Sequence, residues 1–215
     1  MGGMPSPPPA RSVKIAADER GGWSSDRPRR DGAPPRPADI SVRCRVLTPS
    51  ERLRYSPGSL VVIVCASTEE RDRFVTRLIE DRASLLSLDK VRALLAGRVA
   101  EEDIEARAAE LLGAAVLKRL TANETVVVAA EGLDGAERER YVRMAASIKR
   151  PRHLILLETS RDQVAEADRG ALNELRRRLD TAELGAEGFQ TALRLGGGSV
   201  AEVKRIVFRP APRDE

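Results

Sequence analysis

The sequence predicts an α/β protein: a parallel sheet with helices on both faces, preceded by a disordered N-terminal arm. Three observations carry this. Apolar, largely β-branched runs recur at residues 60–65, 125–130 and 153–159. The stretches between them place apolar residues at helical spacing, and strands that are apolar throughout must be covered on both faces, as they are in parallel sheets. Finally, residues 1–38 hold eight of the thirteen prolines, mixed with Gly, Ser, Arg and Asp and without apolar periodicity. Such a segment buries too little apolar surface to offset its chain entropy.

In chain order, the arm occupies 1–38 and the α/β domain 40–208, followed by a tail over 209–215. "ISVRCRVL", 40–47, alternates apolar and polar residues as a half-buried strand does. "LTPSERLRYSPGS" reads as a turn-rich connection. A strand at 60–65 leads into a helix at 68–81, in which Phe74, Val75, Leu78 and Ile79 share one face. "LLSL", 85–88, is a short strand before a helix at 89–96. A long helix follows at 100–121, with Glu101, Glu102 and Asp103 at its start and Lys118 and Arg119 at its end, matching the helix dipole. The strand 125–130, a helix at 135–149 and the strand 153–159 come next. Asp134 suits a cap for the middle element, with Glu137 three residues on. Ser160 with Gln163 is a further capping-box pattern. Helices are expected near 161–180 and 183–195, then a "GGGS" loop and a last strand at 203–208.

The totals narrow the function. A chain of 215 residues is long enough for one domain with a sizeable core. Only 3% of residues are Phe, Trp or Tyr, too few for a base-stacking nucleic-acid surface. A net charge of +4 from 37 basic and 33 acidic residues is compatible with a polyanionic partner without requiring one. Cys44 and Cys65 read as buried thiols of a reducing compartment. One histidine and no cysteine pair leave no ligand set for zinc, so no metal is expected. His153 reads as a surface or strand-end residue. The longest apolar run is about seven residues, short of the roughly 20 a membrane helix needs, and the N-terminus carries no basic-then-apolar pattern. The expectation is a cytoplasmic protein with no membrane contact. The arginines of the arm, Arg27, Arg29, Arg30 and Arg36, suit a polyanion or simply solvent.

The turn after the 60–65 strand, within "VVIVCASTEERDRF", raises the sharpest question. A buried strand running into a helix is a common place for a phosphate, because the first helical amides are unpaired. Such turns are usually glycine-rich, yet this one has no glycine and carries Glu69 and Glu70. Ser67 and Glu70 form an S-x-x-E capping box.

The order strand, turn, helix, "SLDKVRALL", long helix, "TVVVAAEGLDGAERERYVRMA", "HLILLETS", "AELGAEGFQTALRL", strand resembles the polynucleotide-kinase-like P-loop kinases, often labelled AAA-type ATPases, over about residues 58–208. The resemblance implies a first turn reading G-x-x-x-x-G-K-[ST]. Here the glycine positions hold Cys65 and Glu70, the lysine position Arg71 and the hydroxyl position Asp72. The acidic residue that family members often carry at the end of the third strand falls on Ala129, with Glu131 two residues later. The resemblance makes Asp89 the catalytic group that takes the acceptor's proton, and Arg92 a contact to the acceptor's phosphate. The plainer reading of these two is a helix cap and a solvated helix residue. Arg169 and Arg176 fall where such kinases carry lid arginines, or lie on a solvated helix face beside Arg177 and Arg178.

Two functions follow. One is a catalytically degenerate kinase-fold domain that binds a protein or nucleic-acid partner and needs no cofactor. The alternative is an active ATP- and Mg²⁺-dependent phosphotransferase. It would use an atypical phosphate cradle of Arg71, Asp72, Arg92, Arg169 and Arg176 with Asp89 as the proton acceptor. A purely structural role on a stable fold is a third possibility.

Overall fold

A computed structural model describes residues 38–209. The expected arm and C-terminal tail therefore lie outside the described residues, apart from Ala38 and Arg209. Residues 39–209 belong to one compact unit.

Six strands form one fully parallel sheet: β1 (Arg45–Leu47), β3 (Leu60–Cys65), β4 (Leu85–Ser87), β5 (Val126–Ala129), β6 (Arg152–Leu157) and β7 (Thr191–Leu195). Their spatial order is β1-β7-β6-β3-β5-β4. β3, β5 and β6 are buried throughout, as their continuous apolar runs require.

Helices cover both faces, and the strand residues alternate between two cores. On one side Val62, Val64, Val126, Val128, Leu154 and Leu156 meet α2 (Leu88–Leu95), α3 (Glu101–Thr121), α4 (Gly135–Ser147) and α5 (Glu166–Asp180). On the other, Val61, Ile63, Val127, Ile155, Leu157 and Leu193 meet α1 (Thr68–Leu78) through Phe74, Val75 and Leu78. That second core is completed by Val203, just past the short α6 (Gly198–Glu202), and by a separate parallel pair, β2 (Arg52–Tyr55) with β8 (Arg205–Phe208).

Several expectations change. The alternation over 40–47 gives a strand only at Arg45–Leu47, because three residues find register partners on β7. Residues before it are held by single contacts, such as the amide of Val42 donating to the carbonyl of Gly185 at 2.9 Å. The turn-rich connection contains β2, whose four residues alternate Leu53 and Tyr55 inward with Arg52 and Arg54 outward. The helix expected over 183–195 is instead a short 3-10 turn at Glu183–Gly185 followed by β7. Ala, Leu and Arg favour helix intrinsically, but Ala192, Leu193 and Leu195 are buried between β6 and β1, and tertiary burial overrides propensity. Ser160 and Gln163 bracket a 3-10 turn, not the start of α5. His153 is at a strand end as expected, but it is buried, 8% exposed.

Candidate functional site

After β3 the chain builds β4 and β5 on one side of it, then crosses to β6 on the other. The crevice at the C-terminal end of β3 is the switch point where open α/β sheets bind ligands. The residues there are those of the strand–helix turn.

The turn is short. β3 ends at Cys65 and α1 begins at Thr68, so two residues, Ala66 and Ser67, connect them. Ser67 is the cap: its backbone is extended and its hydroxyl accepts from the amide of Glu70 at 3.3 Å. No residue from Cys65 to Asp72 has positive φ. A phosphate-wrapping nest needs alternating right- and left-handed backbone, which is absent from this segment. Residues from Thr68 onward are already helical.

Glu70 does not close its capping box onto Ser67. Its carboxylate turns across the crevice and accepts from the Thr159 hydroxyl at 2.8 Å, with the Cys65 thiol 3.9 Å away. Thr159 is 3% exposed, and its hydroxyl lies 3.3 Å from the same thiol. Burial pushes the Cys65 thiol above its ordinary pKa. An acceptor thus fills the place where a bound phosphate would need donors.

Arg71, at the lysine position, is fully buried. Its guanidinium donates to the carbonyl of Ala130, just past β5, and its Nε donates to Asp72 at 2.8 Å. A longer contact of 3.4 Å reaches Asp89. Asp89 also receives Arg92 at 3.0 Å. Arg92 further holds Glu105 of α3, at 2.9 Å from its Nε, and Glu131, at 2.9 Å from Nη2. Hydrogen bonds donated to Glu105 and then to Glu131 hold the Arg92 pKa above its ordinary value, and Arg92 in turn lowers that of Glu105. Two guanidiniums meet four carboxylates (Asp72, Asp89, Glu105, Glu131), so the network carries an excess of two negative charges.

Asp89 is not the helix cap. Ser87 caps α2 by accepting from Lys90, and Asp89 lies in its first turn. Arg92 is not simply solvated either, being 28% exposed within its ion pairs. Glu131, two residues beyond Ala129, points to Arg92, and its backbone amide donates to the Glu137 carboxylate at 3.1 Å. Burial raises the Glu137 pKa.

Beyond this network a cleft of about 680 Å³ opens between α2, α3, α4 and α5. Glu131, Asp134, Glu137 and Asp168 line it against the single guanidinium of Arg140. It is an acidic cleft and repels a polyanion.

Arg169 and Arg176 stand together elsewhere. Both line a cavity of about 240 Å³ on α5 with Val164, Leu172 and Asn173, while Arg92 lies in its own network. Arg169 pairs with Glu166. Arg176 donates to Glu158 at 2.7 Å, and Arg194 of β7 donates to the same oxygen at 2.6 Å. Burial alone would raise the Glu158 pKa, but the hydrogen bonds from Arg194 and Arg176 outweigh it and the net direction is down. The sequence therefore brings Arg71, Asp72, Asp89 and Arg92 into one network and Arg169 and Arg176 into one cavity. Thr159, Glu105 and Glu158 are the members no local pattern marks, because each meets its partner only through packing.

A family model described as an AAA domain matches residues 72–185, more than half of the chain. The match begins at Asp72, inside α1. No curated protein matches the sequence. With its parallel sheet, its strand–turn–helix at the switch point and this match, the chain belongs to the AAA-domain family of P-loop NTPase-like fold.

Proposed function

We propose that this chain is a kinase-fold domain that has lost phosphoryl transfer and serves as a binding or regulatory module for a protein or nucleic-acid partner. One observation carries the reading. Arg71, at the position of the phosphate-binding lysine, is buried and spent on Ala130, Asp72 and Asp89.

Magnitude supports it. Enzymatic phosphoryl transfer needs a barrier reduction of at least about 8 kcal/mol, drawn almost entirely from positioning and electrostatics. The two-residue connection supplies no backbone nest, Glu70 places a carboxylate at the helix start, and the Arg71–Arg92 network is net negative. For an atypical active cradle, Arg71 would have to leave three partners and enter solvent. Arg169 and Arg176 would have to reach the turn from a separate cavity. A cytoplasmic location fits the two free, buried cysteines.

The test is calorimetric titration with ATP–Mg²⁺, followed by radiolabel transfer onto 5′-hydroxyl oligonucleotides. The reading expects no binding tighter than about 100 μM, which corresponds to about 5 kcal/mol, and no transfer. Tighter binding with label transfer would establish the phosphotransferase instead.

A further inference from the structure

The outer face of the β2–β8 sheet carries arginines that no part of the site uses. Period-two alternation sends Leu53, Tyr55 and Ile206 into the second core and leaves Arg52, Arg54 and Arg205 exposed. Arg209 extends the ladder: its amide donates to the carbonyl of Tyr55 at 3.1 Å, and it too is exposed. In the parallel register Arg52 stands beside Arg205 and Arg54 beside Val207. Neighbouring strands lie about 4.8 Å apart, so Arg52 and Arg205 are adjacent like charges, an arrangement that weakens a sheet. Arg205 meets one exposed carboxylate, Glu80, at 3.2 Å. Among the described residues, the side chains of Arg52, Arg54 and Arg209 make no hydrogen bond or ion pair.

We propose that this face docks the phosphate backbone of a nucleic acid without reading its sequence. The inference rests on the binding-module reading and gives it a partner and a surface. Arg52 and Arg54, two residues apart on one strand, are about 6.6 Å apart, which suits successive phosphates of an extended strand. Guanidinium is the side chain that grips phosphate bidentately. The face carries no aromatic ring for bases to stack on, so it holds the backbone and ignores the base. Val207 is its one apolar side chain, too little to seat in a bilayer. The cleft at the strand ends is acidic and does not suit the same ligand.

The experiment is fluorescence anisotropy of a labelled 20-nucleotide mixed-sequence single strand with the full chain, without ATP or Mg²⁺. Four contacts at about 0.7 each in the salt exponent predict about a 50-fold loss of affinity between 50 and 200 mM salt. The double variant Arg52→Gln, Arg54→Gln should cut that loss to about 7-fold, equally for all sequences. Its melting temperature should be unchanged or higher, since a like-charge contact is relieved. Four outcomes overturn the proposal. They are no binding at 50 mM salt, an unaltered salt slope in the double variant, and loss of binding only when Arg27, Arg29, Arg30 and Arg36 are replaced by glutamine. The fourth is tighter binding to polyglutamate or phosphatidylserine vesicles than to the oligonucleotide. ATP binding would overturn the pseudoenzyme reading and leave this salt slope untouched, so the two failures are distinct.

Discussion

Arg71 reaches from the first turn of α1 to the carbonyl of Ala130, one residue beyond β5, and its side chain is only 1% exposed. This contact ties the helix after β3 to the end of the neighbouring strand. In a phosphate-binding turn that space belongs to ligand and donors. Here a cation of the chain itself fills it, held by Asp72 and Asp89.

Replacing Arg71 should therefore cost stability and yield no activity. Arg71→Ala leaves a buried carbonyl short of a donor and opens a cavity beneath α1, a loss of about 2–4 kcal/mol. Denaturant unfolding measures it. Arg71→Lys restores the residue type of a phosphate loop, yet should still not bind ATP–Mg²⁺, because the connection remains two residues long without positive φ. ATP binding by that variant would show that only the side chain had been missing.

The helix cap gives a second prediction. Ser67→Ala removes the acceptor for the Glu70 amide and should destabilise the domain by about 0.5–2 kcal/mol. Glu70 remains fixed through Thr159, so the crevice geometry survives and the loss is confined to the cap. An unchanged or higher melting temperature would mean that Ser67 is not holding the helix.

Much of this fold was legible in the sequence, and what was missed has physical causes. β3 and β5 are apolar at every position and β6 after its first two residues, a pattern few other elements produce, and Ser67 marked the start of α1. β7 was hidden because Thr191–Leu195 is written in residues that favour helix until burial decides otherwise. β2 was hidden because four alternating residues sit among Pro, Ser and Gly. At the site, the glycine-free turn and the charges of Glu69 and Glu70 were plain in the sequence. The partner of Glu70 lies 89 residues away and is brought near only by the β3–β6 register, in which Cys65 faces Leu157. Glu105 likewise meets Arg92 only because α2 packs on α3.

His153 makes stability depend on pH. Its Nδ1 lies 2.8 Å from the Thr191 hydroxyl, its ring packs 4.7 Å from that of Tyr55, and Nε2 has no partner among the described residues. Burial, and then the adjacent Arg152, depress its pKa to about 4 from an ordinary 6.5. The unfolded chain therefore binds a proton between pH 6.5 and 4 that the folded domain refuses. Stability is complete above about 6.5 and falls as pH drops toward 4. From about 6.5 to about 4, at 1.36 kcal/mol per pH unit, the loss comes to about 3 kcal/mol. Unfolding measured across this range should show a shallower slope for His153→Gln. Identical slopes would mean that other groups carry the dependence.

Arg92 gives the last prediction, because three carboxylates of one cluster converge on it. Asp89, Glu105 and Glu131 all converge on its guanidinium. Arg92→Ala leaves three carboxylates together at the mouth of an acidic cleft, with Arg71 reaching only Asp89 among them. Like charges this close repel, so the melting temperature should fall by a few degrees at pH 7. The direction with pH follows from Glu105, whose pKa is lowered first by its hydrogen bond from Arg92. A carboxylate with a depressed folded pKa contributes stability above its ordinary pKa of about 4.5 and loses it as pH falls through the folded value. Without Arg92 that contribution is gone at pH 7, and protonation relieves the repulsion in acid. The gap between wild type and variant should thus be widest near pH 7 and narrow toward pH 4. A gap that stays constant with pH would show that Arg92 acts by packing its aliphatic stem and not by its charge. If Arg92 instead served an incoming phosphate, its removal would relieve strain and raise the melting temperature. That result would return the residue to the ligand site from which its three carboxylates now separate it.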